Sequence, residues 1–124
     1  MARSDPATDH LVELLAPLGV PEAKRMFGAW GVYLDGLIVA LVADGQVYLK
    51  ADAQTLPAFE AAGSQPFAFR SKQRTITSSY WSVPGGALDS SRALEPWITR
   101  ALEAARRKAA EPPRMPRAPR LPIS

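Results

Sequence analysis

Met26–Lys50, MFGAWGVYLDGLIVALVADGQVYLK, is the stretch whose reading decides the fold. At its centre lies an almost wholly apolar run, Leu37–Ala43, bounded by Asp35-Gly36 on one side and Asp44-Gly45 on the other. A type I′ hairpin turn needs positive φ at both central residues, and Asp-Gly satisfies that at little steric cost. The stretch therefore predicts a three-stranded antiparallel meander. Leu37–Ala43 is its middle strand, apolar enough to be covered on both faces. In the strand before it, Val32 and Leu34 share one face and Tyr33 takes the other. In the strand after it, Val47 and Leu49 alternate with Gln46, Tyr48 and Lys50.

Upstream, Gly28 and Gly31 mark a bulge, a bend or a tight turn between a short lead-in strand at Lys24–Phe27 and the meander. Before that, Asp5-Pro6 supplies an N-cap and a proline at the first helical position. Leu11, Leu14, Leu15 and Leu18 recur at helical spacing until Pro17 and Gly19 end the helix. Downstream, Asp52 or Thr55 caps a short helix carrying Leu56, Phe59 and Ala62, with Gly63 as its left-handed terminator. Phe67–Arg70 and Thr75–Trp81 read as a hairpin around a polar loop. After Pro84-Gly85-Gly86, the positions Leu94, Trp97, Ile98, Ala101, Leu102 and Ala105 trace one face of a last helix, with Pro96 in or near its first turn.

Helix, meander, helix, hairpin, helix is an α+β order. It predicts a single two-layer domain over residues 5–110, with a mainly antiparallel sheet of about five strands and helices packed on it. Residues 1–4 are expected to fray, and 111–124 to be a disordered proline- and arginine-rich tail. The expected core is Leu11, Leu14, Leu15, Val39, Leu41, Val47, Leu49, Phe59, Ile76, Trp97, Ile98 and Leu102.

Composition narrows the function. The 124 residues include no cysteine, which excludes disulfides, thiolate metal sites and a cysteine nucleophile. No apolar segment approaches the roughly 20 residues a bilayer needs, and MARSDPATDH lacks the apolar core of a leader, so a cytoplasmic protein with no membrane partner is expected. The net charge is +3. The last 14 residues hold three arginines and one glutamate, which leaves 12 basic and 11 acidic residues in the rest. Basicity is thus mostly a property of the tail.

No catalytic, metal or cofactor constellation is visible. His10 is the only histidine, at a helix start where a solvated or capping role suffices. Ser78 and Ser79 lack a nucleophile-elbow pattern, and Gly28-Ala29-Trp30-Gly31 lacks the helix and Lys-Ser/Thr that follow a phosphate-cradling loop. The best interaction candidates are basic and aromatic: Lys24 and Arg25, then Arg70, Lys72 and Arg74 at alternate positions of the hairpin, with Tyr80 and Trp81 close by in sequence. In the tail, Pro113, Pro116, Pro119 and Pro122 keep three-residue spacing and Arg114, Arg117 and Arg120 share that phase. A polyproline II helix would line the arginines along one edge.

Lys24-Arg25-Met26-Phe27-Gly28-Ala29-Trp30-Gly31-Val32-Tyr33-Leu34-Asp35-Gly36 resembles the opening of the TfoX N-terminal domain family. That opening is a basic pair, Met-Phe-Gly-Gly, an aromatic, Gly and an apolar strand. Ala29 stands where the family usually has its second glycine. The resemblance continues through Ala40–Gly45, Tyr48–Asp52, Phe59–Gly63, Pro66-Phe67, Tyr80-Trp81 and the last helix, or from about Glu22 to Ala110. It implies a small α+β domain that in some bacteria forms the first half of a regulator of natural competence, acting with the cyclic-AMP receptor protein. The full regulator carries a second, helical domain. Here only the proline-arginine tail follows, so a stand-alone version is expected. A non-enzymatic interaction module with a protein partner such as a transcription regulator is the reading that results. The alternative is nucleic-acid binding by the basic hairpin and tail. A homodimer would cover a sheet edge and an exposed face.

Overall fold

Both Asp-Gly pairs adopt the turns their chemistry permits. Asp35 and Gly36 have φ of 52° and 87°, and Asp44 and Gly45 have 51° and 75°. These are positive values at both central residues, as a type I′ turn requires. The computed structural model describes residues 5–26, 28–71 and 74–110, with side chains at all but 26, 68–71 and 74–78. The expectations for Phe27, Lys72, residues 1–4 and the tail 111–124 lie outside the described residues, as do the Ile76, Arg70 and Arg74 side chains.

The chain runs α1 (Pro6–Leu15), a 3-10 turn (Ala16–Leu18), β1 (Pro21–Met26), β2 (Ala29–Leu34), β3 (Leu37–Ala43), β4 (Gln46–Lys50), α2 (Leu56–Ala61), β5 (Pro66–Ser71), β6 (Arg74–Ser82), a second 3-10 turn (Ala87–Asp89) and α3 (Ser91–Ala110). The strands form one sheet in the order β1-β2-β3-β4-β6-β5, and every pairing is antiparallel. The chain is therefore an α+β domain with one six-stranded sheet, and the short lead-in strand expected from Lys24 begins earlier, at Pro21. The added length is in β1, which pairs along its whole length, from Pro21 opposite Leu34 to Met26 opposite Ala29. Its sequence PEAKRM carries little β-propensity, and an edge strand tolerates proline at its first position. Gly28, with φ 80°, makes the tight turn, and Ala29 already belongs to β2. The family's usual second glycine is not required by this backbone.

α1 begins at Asp5, whose Oδ2 accepts from the Thr8 N–H at 3.2 Å and the Thr8 hydroxyl at 3.3 Å, with Pro6 at the first helical position. Leu11 and Leu15 are fully buried. Gly19 then passes close to the first meander turn. A Cβ there would lie 2.9 Å from Leu34 Cδ1 and 2.9 Å from Asp35 Oδ2. The Val20 N–H donates to Asp35 Oδ1 at 2.8 Å, and the Asp35 N–H returns a bond to the Val20 carbonyl at 2.9 Å. Asp35 thus makes the turn and also ties the α1–β1 connection to it.

The helices pack on one face of the sheet, α1 over β1, β2 and β4, and α3 over β3 and β4. The core between them holds Val32, Leu34, Val39, Ala40, Val42, Val47 and Leu49 from the strands, Phe59 from α2, and Leu94, Ile98 and Ala101 from α3. Leu14, Trp97 and Leu102 pack at its margin. Leu41 does not join it. The register shifts so that Val32 faces Ala40 while Tyr33 faces Ile38, leaving Val39 as the extra residue of a bulge. Past the bulge Ala40 and Val42 face the helices. Leu41, opposite Gly31 and Tyr48, takes the other face and is only half-buried. The helices therefore cover β3 on one side, where the sequence predicted cover on both.

α3 starts at Ser90, whose carbonyl accepts from Leu94 and whose Oγ accepts from the Ala93 N–H at 3.0 Å. Pro96 sits a turn further in than expected. It removes the amide that would have bonded the Arg92 carbonyl, at an exposed position of the helix. Gly63, φ 84°, ends α2 as predicted, donating to Glu60 at 3.0 Å.

Candidate interaction surfaces

Lys24 and Arg25 lie on β1 at one edge of the sheet, while β6 and β5 form the other edge. Four strand spacings separate β1 from β6, about 19 Å, so the basic lead-in and the basic hairpin are not one surface. In the hairpin, Arg70 pairs with Thr75 and Ser71 with Arg74. Tyr80 and Trp81, adjacent in sequence, point to opposite faces. Trp81 lies opposite Leu49 and packs against the core, whereas Tyr80 lies opposite Lys50.

That alternation builds a distinct surface on the face that none of the described helices covers. Tyr33, Ile38, Leu41, Tyr48 and Tyr80 share it through their register, each half-buried. The Phe67 ring lies 4.7 Å from that of Tyr48, at 53°. Lys24 Nζ sits 5.1 Å from the centroid of the Tyr33 ring, and Lys50 Nζ 5.1 Å from that of Tyr80. Such cation–π pairs hold an ammonium over a ring that also shields the sheet backbone. Burial pushes the Tyr80 phenol above its ordinary 10.0, and Tyr33 reinforces the shift. Arg25 makes a similar pair on the helical side, 5.3 Å from the Trp30 centroid. The sequence contained these tyrosines, but the signal that unites them is cross-strand register, which no local pattern reveals.

A groove runs on the helical side, between the end of α3 and the β4–α2 corner. Its wider part, about 390 Å³, is lined by Leu56, Pro66 and Trp81, with Ala51, Asp52, Ala53 and Ser79. Its narrower part, about 210 Å³, shares Ala51, Asp52 and Ser79 and adds Lys50, Ala104, Arg107 and Lys108. At the junction Arg107 Nε and Nη2 donate to Asp52 Oδ2 and Oδ1 at 2.6 and 3.0 Å. Asp52 Oδ1 also accepts from the Gln54 and Thr55 amides at 3.0 and 3.2 Å. The Arg107 guanidinium holds the Asp52 carboxyl below its ordinary 3.8, ahead of burial, which opposes it, and of the two amides, which add to it. Asp52 was expected as one of two caps for α2. It forms the turn before Thr55 and anchors α3 as well.

His10 does not stand in solvent alone: its Nε2 lies 2.9 Å from the Leu88 carbonyl, so the ring ties α1 to the turn before α3. Ser91 Oγ donates to the Leu14 carbonyl at 2.6 Å across the same junction. Among the described residues no three His, Asp or Glu side chains converge as metal ligands. No described helix is long and apolar enough to cross a membrane. What the geometry offers is stacking, apolar contact and charge.

A fully antiparallel sheet with helices on one side places the chain among two-layer α+β domains. The family model of the TfoX N-terminal domain matches residues 13–105, and the chain belongs to that family. Protein Sxy of Escherichia coli (strain K12) is similar to it, 30% identical over 71 residues, which are 57% of this chain and 34% of that protein. The match thus spans about a third of that relative's length.

Proposed function

We propose that the chain is a non-enzymatic regulatory module that works by docking a protein partner on the helix-free face of its sheet. One observation carries this reading. The face left without helices is laid with Tyr33, Tyr48, Tyr80 and Phe67, two of the tyrosines paired with lysines, where a solvated sheet face would alternate to small polar residues. Aromatic side chains backed by a stiff sheet offer large contact area at low entropic cost, which is why they dominate binding surfaces. Membership of the TfoX N-terminal domain family supports a regulatory role, and its resemblance to competence regulators makes a transcription regulator in the cytoplasm the partner to look for.

Photo-crosslinking tests the proposal. A benzophenone amino acid in place of Tyr48, on the full chain in a bacterial cytoplasm, is expected to capture one defined protein. The same group at Glu103, exposed on α3, serves as the control. Equal product patterns at both positions overturn the proposal. Capture of nucleic acid, suppressed by salt, replaces it with the nucleic-acid alternative.

A further inference from the structure

We propose that the groove beside Arg107 is a second docking site, which takes an acidic peptide segment carrying one bulky apolar anchor. This rests on reading the chain as an interaction module, but it concerns the opposite side of the sheet, save for Lys50, which lines the groove's rim and also pairs with Tyr80 on the open face. Two halves of one groove differ in chemistry. Leu56, Pro66 and Trp81 make the wide half apolar, and Lys50, Arg107 and Lys108 ring the narrow half with positive charge. The halves meet at Ala51, Asp52 and Ser79, so one extended ligand reaches both.

Asp52, the one acidic residue in the lining, does not spoil the site for an anion. Its carboxylate is already held by the two guanidinium donors and two backbone amides. Arg107 gives Asp52 two donors of the five a guanidinium carries, so the same side chain can hold a ligand carboxylate while it stays anchored. A fixed guanidinium loses less entropy on binding than a mobile lysine. Beside it, Lys50 Nζ lies 3.4 Å from Ser79 Oγ, which sets a hydroxyl next to an ammonium at the groove wall. Charge decides the occupant. The chain's own residues 111–124, which carry three arginines and one glutamate, have the wrong sign for this end of the groove. An acidic segment has the right sign, and the apolar half supplies a pocket for a Phe, Leu or Met beside the acidic residues.

Fluorescence anisotropy on the full chain tests this. Three short fluorescein-labelled peptides serve as probes: one phenylalanine flanked by glutamates, the same peptide with lysines for glutamates, and the glutamate peptide with serine for phenylalanine. The first is expected to bind about tenfold more tightly than either control at low salt, with an affinity that falls as salt rises. Lys108→Glu, at an exposed site, is expected to weaken it about fivefold, and Leu56→Ala by a similar factor without altering its salt dependence. Equal binding of all three peptides, no binding of the first, or an unchanged affinity in Lys108→Glu overturns the groove assignment. The Tyr48 crosslink is read separately. If it persists while the peptide fails, only the groove is lost. If it fails while the peptide binds, the groove stands and the sheet face is lost.

Discussion

The two faces of the sheet are built from the same strands, often from neighbouring residues, and they reach different ends. Leu49 is fully buried under the helices, whereas Tyr48 and Lys50 on either side of it stay half-exposed. On the helical face aliphatic side chains interdigitate with α1 and α3, and alanines at 101, 104 and 105 let α3 approach closely. On the open face aromatic and cationic side chains lie against each other, with Ile38 and Leu41 among them. The difference separates two uses of hydrophobic area. One face removes it from water for stability; the other keeps it available, rigid and marked with charge.

Substitution of adjacent residues tests this division most directly. Leu49→Ala is expected to cost about 2–5 kcal/mol in urea unfolding, as large-to-small changes in a packed core do. Tyr48→Ala should cost about 1 kcal/mol. Equal costs would mean the open face is a second core. Next in size is Gly36→Val, at about 1–2 kcal/mol for forcing a β-branched residue to positive φ. Because a one-residue slip would exchange the faces of β2, this variant should also increase binding of a hydrophobic dye.

Asp52→Asn tests the tie beneath the helical face. The folded-state carboxyl titrates below its ordinary 3.8. Its contribution is therefore fully present above that value and is lost as pH falls through the lower folded value. Wild type is expected to lose more stability on acidification than Asp52→Asn, measured by urea midpoints across the acid range. The smallest effect is spectroscopic. Tyr80, raised above 10.0, should give a late phenolate absorbance step that disappears in Tyr80→Phe. Its contribution to stability is in place below the ordinary value and fades as pH rises through the higher one.

Most of the architecture was legible because local chemistry determined it. Asp-Gly pairs set the meander, Asp5-Pro6 started α1 and Gly63 stopped α2. β1 is longer than its own sequence signals because PEAKRM has no β-pattern and is a strand only by pairing with β2. Leu41 departs from the simple alternation because a bulge at Val39 shifts it, and bulges depend on the partner strand. The candidate surfaces were less legible for the same reason. Lys24 and Arg70 look like parts of one basic patch until the strand order puts them at opposite edges. Asp52 and Arg107 are 55 positions apart, and only the docking of α3 on β3 and β4 makes them neighbours.

The Asp35 tie has a consequence for chemical ageing. Asp-Gly sequences isomerise when the glycine amide nitrogen attacks the aspartate side-chain carboxyl carbon and expels water, forming a succinimide that a water molecule then hydrolyses to isoaspartate. The step requires the carboxyl group to swing toward the backbone. At Asp35 the bond from the Val20 amide restrains that swing, while exposed Asp44 has no comparable bond from another segment among the described residues. On storage, isoaspartate should accumulate at Asp44 before Asp35, so the second meander turn is the molecule's clock.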